Sequence, residues 1–153
     1  MIKIKPVPAA LTPAVYQIHK DFFAAGSPDF LSLKSFNDLV AAPETRLLCA
    51  FEADKPAGYA LFRLMADEAE LLSIAVKPTK RRCGIGHALL ARMEEQLKEA
   101  GCQFLYLEVN ETNDVAIHAY RAAGFHNIGE RKAYYRAKNG EHQSAVLMKK
   151  PLC

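Results

Sequence analysis

At 153 residues, half of them hydrophobic and 24% charged, the sequence has the length and composition of one soluble globular domain. A net charge of +3, with no run of five basic residues, argues against a nucleic-acid partner, and no apolar run approaches the ~18 residues needed to cross a bilayer. The N-terminus lacks an apolar stretch of signal-peptide length, and Cys49, Cys83, Cys102 and Cys153 show no metal-binding spacing, so reduced thiols, no metal and a cytoplasmic location are the expectations.

Ile2 to Lys5 alternates and predicts a short strand. Thr12 before Pro13 reads as a helix N-cap followed by proline in the first turn, with Val15, Ile18, Phe22 and Phe23 as the apolar face. After a loop with Gly26, Ser27 and Pro28, Ser32 caps a second helix through Leu33, Phe36, Leu39 and Val40, closed by Pro43. Arg46 to Glu52 and Ala57 to Leu64 predict a hairpin turning at Ala53-Asp54-Lys55-Pro56, and Glu70 to Val76 predicts a third strand ended by Pro78. The clearest helix carries Ile85, Leu89, Leu90, Met93 and Leu97 on one face, Glu94 and Lys98 at an ion-pair spacing, and Gly101 at its end. Phe104 to Val109 is a strand, and Asn113 caps a helix through Tyr120 that Gly124 stops. Phe125 to Arg131 and Gln143 to Lys149 form a last antiparallel pair around a turn at Lys138-Asn139-Gly140. The predicted order β-α-α-β-β-β-α-β-α-β-β implies an α/β fold: one domain over residues 1–153, with a mixed, mostly antiparallel sheet flanked by helices.

The segment between Val76 and the strong helix carries the first chemical signal. Lys77, Lys80, Arg81 and Arg82 place four basic residues in six positions, a density suited to a compact anion. A helix start offers free N–H groups and positive potential. Gly84 and Gly86 lack Cβ, so the backbone can approach phosphate closely. Ile85-Gly86-His87 follows Gly84 where a nucleotide-binding P-loop needs Gly-Lys-Ser/Thr, and the three-glycine dinucleotide pattern is also missing. The loop alone is equally compatible with a glycine-bearing helix start and solvated arginines.

Arg81-x-x-Gly84-x-Gly86, after the apolar strand Leu71-Leu72-Ser73-Ile74-Ala75-Val76, resembles the acyl-CoA signature of the GNAT superfamily of N-acetyltransferases. The resemblance continues through Leu105-Tyr106-Leu107-Glu108-Val109, Asn113 to Tyr120, Ala123-Gly124-Phe125, Ala133-Tyr134-Tyr135 and Ala145 to Met148. It spans about residues 68 to 149 and is most similar to the branch of the family that acetylates the N-terminal alanine of a ribosomal protein. Asn110 departs from that branch, which commonly has arginine there. His87 departs too, where a basic or small residue often follows the glycines.

The resemblance implies an acetyl-CoA-dependent N-acetyltransferase, with acetyl-CoA as cosubstrate. Its pyrophosphate would lie on Arg81, Arg82, Cys83, Gly84, Ile85, Gly86 and His87, and its pantetheine arm along Ile74, Ala75 and Val76, with Asn113 as a further contact. By motif position Glu108 matches the general base and Tyr120 the acid that protonates the leaving sulfur. Direct attack of an amine on a thioester needs both proton transfers and donors for the carbonyl oxygen. The residues themselves leave alternatives. Glu108 can be a solvated carboxylate at a strand end with a water chain as base, Tyr120 a packing residue, and Asn113 only a cap. Tyr134 and Tyr135 can line a peptide groove or stabilise a hairpin. The acceptor is either a protein N-terminus or a small-molecule amine. A non-catalytic acyl-CoA-binding module is disfavoured because Glu108 and Tyr120 are both present.

Overall fold

The computed structural model describes residues 2–27, 29–136 and 142–152. Its strands are β1 (Ile2–Pro6), β2 (Thr45–Glu52), β3 (Lys55–Met65), β4 (Glu68–Val76), β5 (Phe104–Asn110), β6 (His126–Arg136) and β7 (His142–Pro151). Its helices are α1 (Thr12–Phe22), α2 (Leu33–Ala41), α3 (Ile85–Glu99) and α4 (Asp114–Ala122). This is the predicted order of elements. The strands form one seven-stranded sheet in the order β1-β2-β3-β4-β5-β7-β6. Every neighbouring pair is antiparallel except β4 and β5.

Alternation along the strands divides the core between two faces. On one face Leu48, Ala60 and Phe62 pack against Leu89, Met93 and Leu97 of α3 and Ile117 of α4. On the other, Cys49, Tyr59 and Leu61 pack against Val15, Tyr16 and Ile18 of α1 and Phe36 of α2. Gly58 lets α3 sit close to the sheet. A Cβ there would stand 3.0 Å from the Ala75 carbonyl oxygen and 3.1 Å from Ile85 Cγ2.

Several local expectations change. Thr12 is the first residue of α1, after a 3-10 turn at Ala9–Leu11, and its side chain caps nothing. The β2–β3 turn is shorter than expected, with two residues at positive φ, Ala53 and Asp54, as a tight hairpin turn requires. Pro56 then lies within β3, where a register shift beside Ala50 and Phe51 relieves the ladder of its missing N–H. Glu94 turns to Lys150 of β7 at 2.6 Å rather than to Lys98. Phe22 is 37% exposed while Tyr16 and His19 are buried, so the buried face of α1 is rotated from the predicted one. Ser32 does cap α2, accepting from the Ser35 N–H at 3.1 Å. The turn expected at Lys138-Asn139-Gly140 lies outside the described residues.

Candidate active site

The site begins where two parallel strands part. β4 and β5 pair only from Glu68 to Glu70 and Phe104 to Tyr106. Immediately beyond, the β3–β4 register skips a residue: Leu61 pairs with Ser73 and Phe62 with Leu71, leaving Leu72 as a bulge. A bulge bends its strand and interrupts pairing. Here it coincides with the point at which β4 leaves β5 and also exchanges the faces of β4. Ala69 and Leu71 face the α3 side before it, as Ile74 and Val76 do after it. From Leu72 to Val76 the edge of β4 away from β3 pairs with no strand among the described residues, so its backbone groups open into a cleft of about 870 Å³. That is toward the upper end of the roughly 300–1,000 Å³ usual for ligand sites.

One wall of the cleft is the start of α3. Arg82 and Gly84 both adopt positive φ, 63° and 78°, curling the loop in the manner that turns backbone N–H groups toward a common anion. Ser32 and Asn113 cap α2 and α4 with side-chain oxygens, whereas α3 has only Gly84 at its cap position and no side-chain bond there. The N–H groups of its first turn therefore remain available. A Cβ built on Gly86 meets nothing within 4 Å, so the space beside this backbone is open. Arg81 stacks over Phe22 at 5.0 Å, and Lys80 pairs with Glu52, which fixes the basic loop against α1 and β2.

The predicted residues mostly converge. Ile74, Ala75, Val76, Arg81, Arg82, Gly84, Ile85, Gly86, His87, Glu108, Asn113 and Tyr120 all line the cleft. Cys83 does not; its exposed thiol turns back toward the Arg81 carbonyl at 3.6 Å. Asn113 Oδ1 caps α4 through the Ala116 N–H at 3.2 Å, leaving its amide N–H groups for the cleft. Tyr120 packs edge-on against Phe125. Burial, reinforced by the Asp29 carboxylate, pushes its hydroxyl up to about 12, so it keeps its proton at neutral pH. Glu108 is a quarter exposed and paired with Arg131 at 2.7 Å. It stands between the cleft and a smaller pocket of about 230 Å³ lined by Met65, Glu68 and Tyr106. Two residues read as possible groove or hairpin residues, Tyr134 and Tyr135, have side chains outside the described part of the structure.

The sequence points to the loop around Phe23 to Leu33 as a place where acceptors would be told apart, but not to the individual residues that complete the cleft. Asp29 and Leu31 come from the α1–α2 connection, and the Arg63–Glu70 ion pair at 2.6 Å comes from β3 and β4. The relay behind β4 was also missed. The Leu31 N–H donates to His19 Nε2 at 2.8 Å, His19 Nδ1 meets the Tyr59 hydroxyl at 2.7 Å, and that hydroxyl meets Ser73 Oγ at 2.8 Å. Since Nε2 accepts, Nδ1 carries the proton of a neutral imidazole. Burial holds His19 below the ordinary imidazole range, and only the neutral ring can accept the Leu31 N–H at Nε2. No signal short of the tertiary arrangement marks these partners.

An open-edged β-strand beside an uncapped, basic helix start suits a ligand with an extended amide-bearing arm and a pyrophosphate. The family model for the acetyltransferase (GNAT) family matches residues 12–125. The chain belongs to the GNAT acetyltransferase family. It is 31% identical over 150 residues to a ribosomal protein bS18-alanine N-acetyltransferase of Salmonella typhimurium, covering 92% of this chain and 90% of that protein. It is 43% identical over 91 residues to the protein of that name from Haemophilus influenzae; this match covers 60% of the chain and 62% of that protein, less than two thirds of its length. The crystal structure of the ribosomal-protein-S18-alanine N-acetyltransferase from Escherichia coli superposes with a TM-score of 0.89 at 30% identity, covering 99% of this chain and 94% of that one.

Acetyl-CoA is the acetyl donor of this family, and the cleft fits it: open space at Gly86, free N–H groups at the start of α3, and the unpaired edge of β4. Among the described residues, no three His, Cys, Asp or Glu side chains gather as a metal site. No helix among them is long and apolar enough to cross a membrane.

Proposed function

We propose that this N-acetyltransferase modifies the N-terminal α-amine of a protein, with an N-terminal alanine as the first acceptor to try. The observation that carries the reading is the agreement of nearly the whole chain with a ribosomal-protein alanine N-acetyltransferase, in sequence and in fold.

In this reading the loop from Arg81 to His87 holds the pyrophosphate, and Ile74, Ala75 and Val76 hold the pantetheine arm along the open edge of β4. The donor supplies an acetyl group activated as a thioester. Glu108 Oε takes the proton that the amine sheds as it attacks, directly or through a water. A backbone N–H of β4 donates to the carbonyl oxygen as charge develops there. Tyr120 Oη donates its proton to the departing sulfur. Arg131 fixes the direction of the Glu108 carboxylate.

Turnover of acetyl-CoA should be measured against short peptides beginning with alanine, the same peptides with a blocked N-terminus, and a panel of small primary amines. The reading expects free N-terminal peptides to be acetylated at the α-amine and blocked peptides to be inert. Preferential acetylation of a small amine, with the peptides untouched, would replace it by the small-molecule alternative.

A further inference from the structure

Three carboxylates line the cleft: Glu70, Glu108 and Asp29. The first two are already matched, Glu70 by Arg63 at 2.6 Å and Glu108 by Arg131 at 2.7 Å. Asp29 has no hydrogen-bond or ion-pair partner among the described residues, although it is half-buried. A carboxylate withdrawn from water without a counter-charge is unfavourable unless a cation arrives. Burial accordingly raises its proton affinity above the ordinary range.

The position is built. Phe30 N–H closes a turn onto the Ser27 carbonyl at 3.2 Å. Leu31 is then pinned at both backbone groups: its N–H bonds His19 Nε2 at 2.8 Å, and its carbonyl accepts from the Tyr16 hydroxyl at 2.9 Å. His19 and Tyr16 are buried on α1, and His19 also packs on the Phe30 ring at 5.5 Å. The loop that carries Asp29 is thus tied to the core directly after it. Asp29 and Tyr120 both line the cleft, and the Asp29 charge is near enough to raise the proton affinity of the Tyr120 hydroxyl.

We propose that Asp29 is the binding site for the acceptor's ammonium group, its carboxylate receiving the positively charged amine beside Tyr120 before Glu108 removes the proton. The inference rests on the acceptor amine entering this cleft and deepens the reading above by separating two jobs. Asp29, without a partner among the described residues, binds the cation. Glu108, held by Arg131, is the base. His19 and Tyr16 act as positioning residues for Asp29 through Leu31.

The test compares wild type with Asp29→Asn on whichever acceptor wild type turns over best, peptide or small amine. It also measures inhibition by the des-amino analogue of that acceptor, in which hydrogen replaces the amine. A hydrogen bond to a charged group contributes roughly ten- to a hundredfold in affinity. Asp29→Asn should therefore raise KM for the amine at least tenfold, and leave both the Ki of the des-amino analogue and the Kd of acetyl-CoA within about twofold. A loss shared equally by amine and analogue would make Asp29 a structural residue and overturn the proposal, as would an unchanged KM. Should the variant fail to fold, wild type alone decides: the acceptor must bind at least tenfold more tightly than its des-amino analogue, and equal affinities would refute an ammonium site. If wild type acetylates only a small amine, the protein N-terminal reading fails while the Asp29 comparison, made on that amine, still stands or falls by itself.

Discussion

Gly86→Val tests the proposed coenzyme site separately from the fold. Gly86 lies in the first turn of α3, and a Cβ there meets no atom within 4 Å. The substitution removes a flexible residue from a helix. On intrinsic propensity it should change stability by only a few tenths of a kcal/mol in the favourable direction. A shift in Tm of about 1–2 °C follows for a protein of this length. In the proposed reading the pyrophosphate approaches the helix N–H groups through this open space, and one such charge-assisted bond contributes about 1.5–3 kcal/mol. Calorimetric titration should show acetyl-CoA binding weakened at least tenfold in a variant whose thermal unfolding is nearly that of wild type. Gly58→Val provides the contrast. Its side chain would strike the Ala75 carbonyl and Ile85, an overpacking cost of about 1–3 kcal/mol, so stability and coenzyme affinity should fall together. A folded Gly86→Val protein with unchanged acetyl-CoA affinity would refute the placement of the pyrophosphate on this turn.

Three further outcomes follow from the same geometry. Tyr120→Phe should lower kcat about 10²-fold with little change in acetyl-CoA affinity; near-normal kcat at saturating substrate would assign the ring to packing against Phe125. Glu108→Gln should slow acetylation most at low pH, where the amine arrives protonated, and progressively less as pH rises; kcat/KM profiles identical in height to wild type would remove Glu108 from the mechanism. His19, held neutral with its proton affinity lowered by burial, binds protons less readily folded than unfolded. Its contribution to stability is therefore present above the unfolded value near 6.5 and is lost as pH falls below it. Urea unfolding at pH 7.5 and pH 5.5 should show a smaller pH difference for His19→Gln than for wild type, and an equal difference would mean that other groups carry the acid sensitivity.

What could be read from the sequence, and what could not, divides by range of interaction. The order of elements was legible because each helix and strand carries its own periodicity and punctuation, as Ser32 and Asn113 show by capping the helices they precede. The position of the basic loop at the start of a helix was legible for the same reason: Arg81, Gly84 and Gly86 lie within a few residues of one another. Errors of detail were local competitions. Thr12 lost the cap position of α1 to a preceding 3-10 turn, and Pro56 was absorbed into β3 beside a register shift.

The cleft itself has a different origin. Nothing in Leu71-Leu72-Ser73-Ile74-Ala75-Val76 marks Leu72 as the residue left out of the ladder, because a bulge is decided by how β3 and β4 align over their whole length. That one unpaired residue falls where β4 parts from β5 and reassigns which side chains of β4 meet α3. It brings Ser73 to the side of Tyr59 and His19, so the relay from β4 to Leu31 exists only because the strand is bulged. Leu31 in turn anchors the loop that bears Asp29. The open edge of β4 and the loop bearing Asp29 are therefore not independent features set side by side. The same irregularity that opens a backbone edge into the cleft supplies the hydroxyl at the end of the chain of contacts that steadies the loop bearing Asp29.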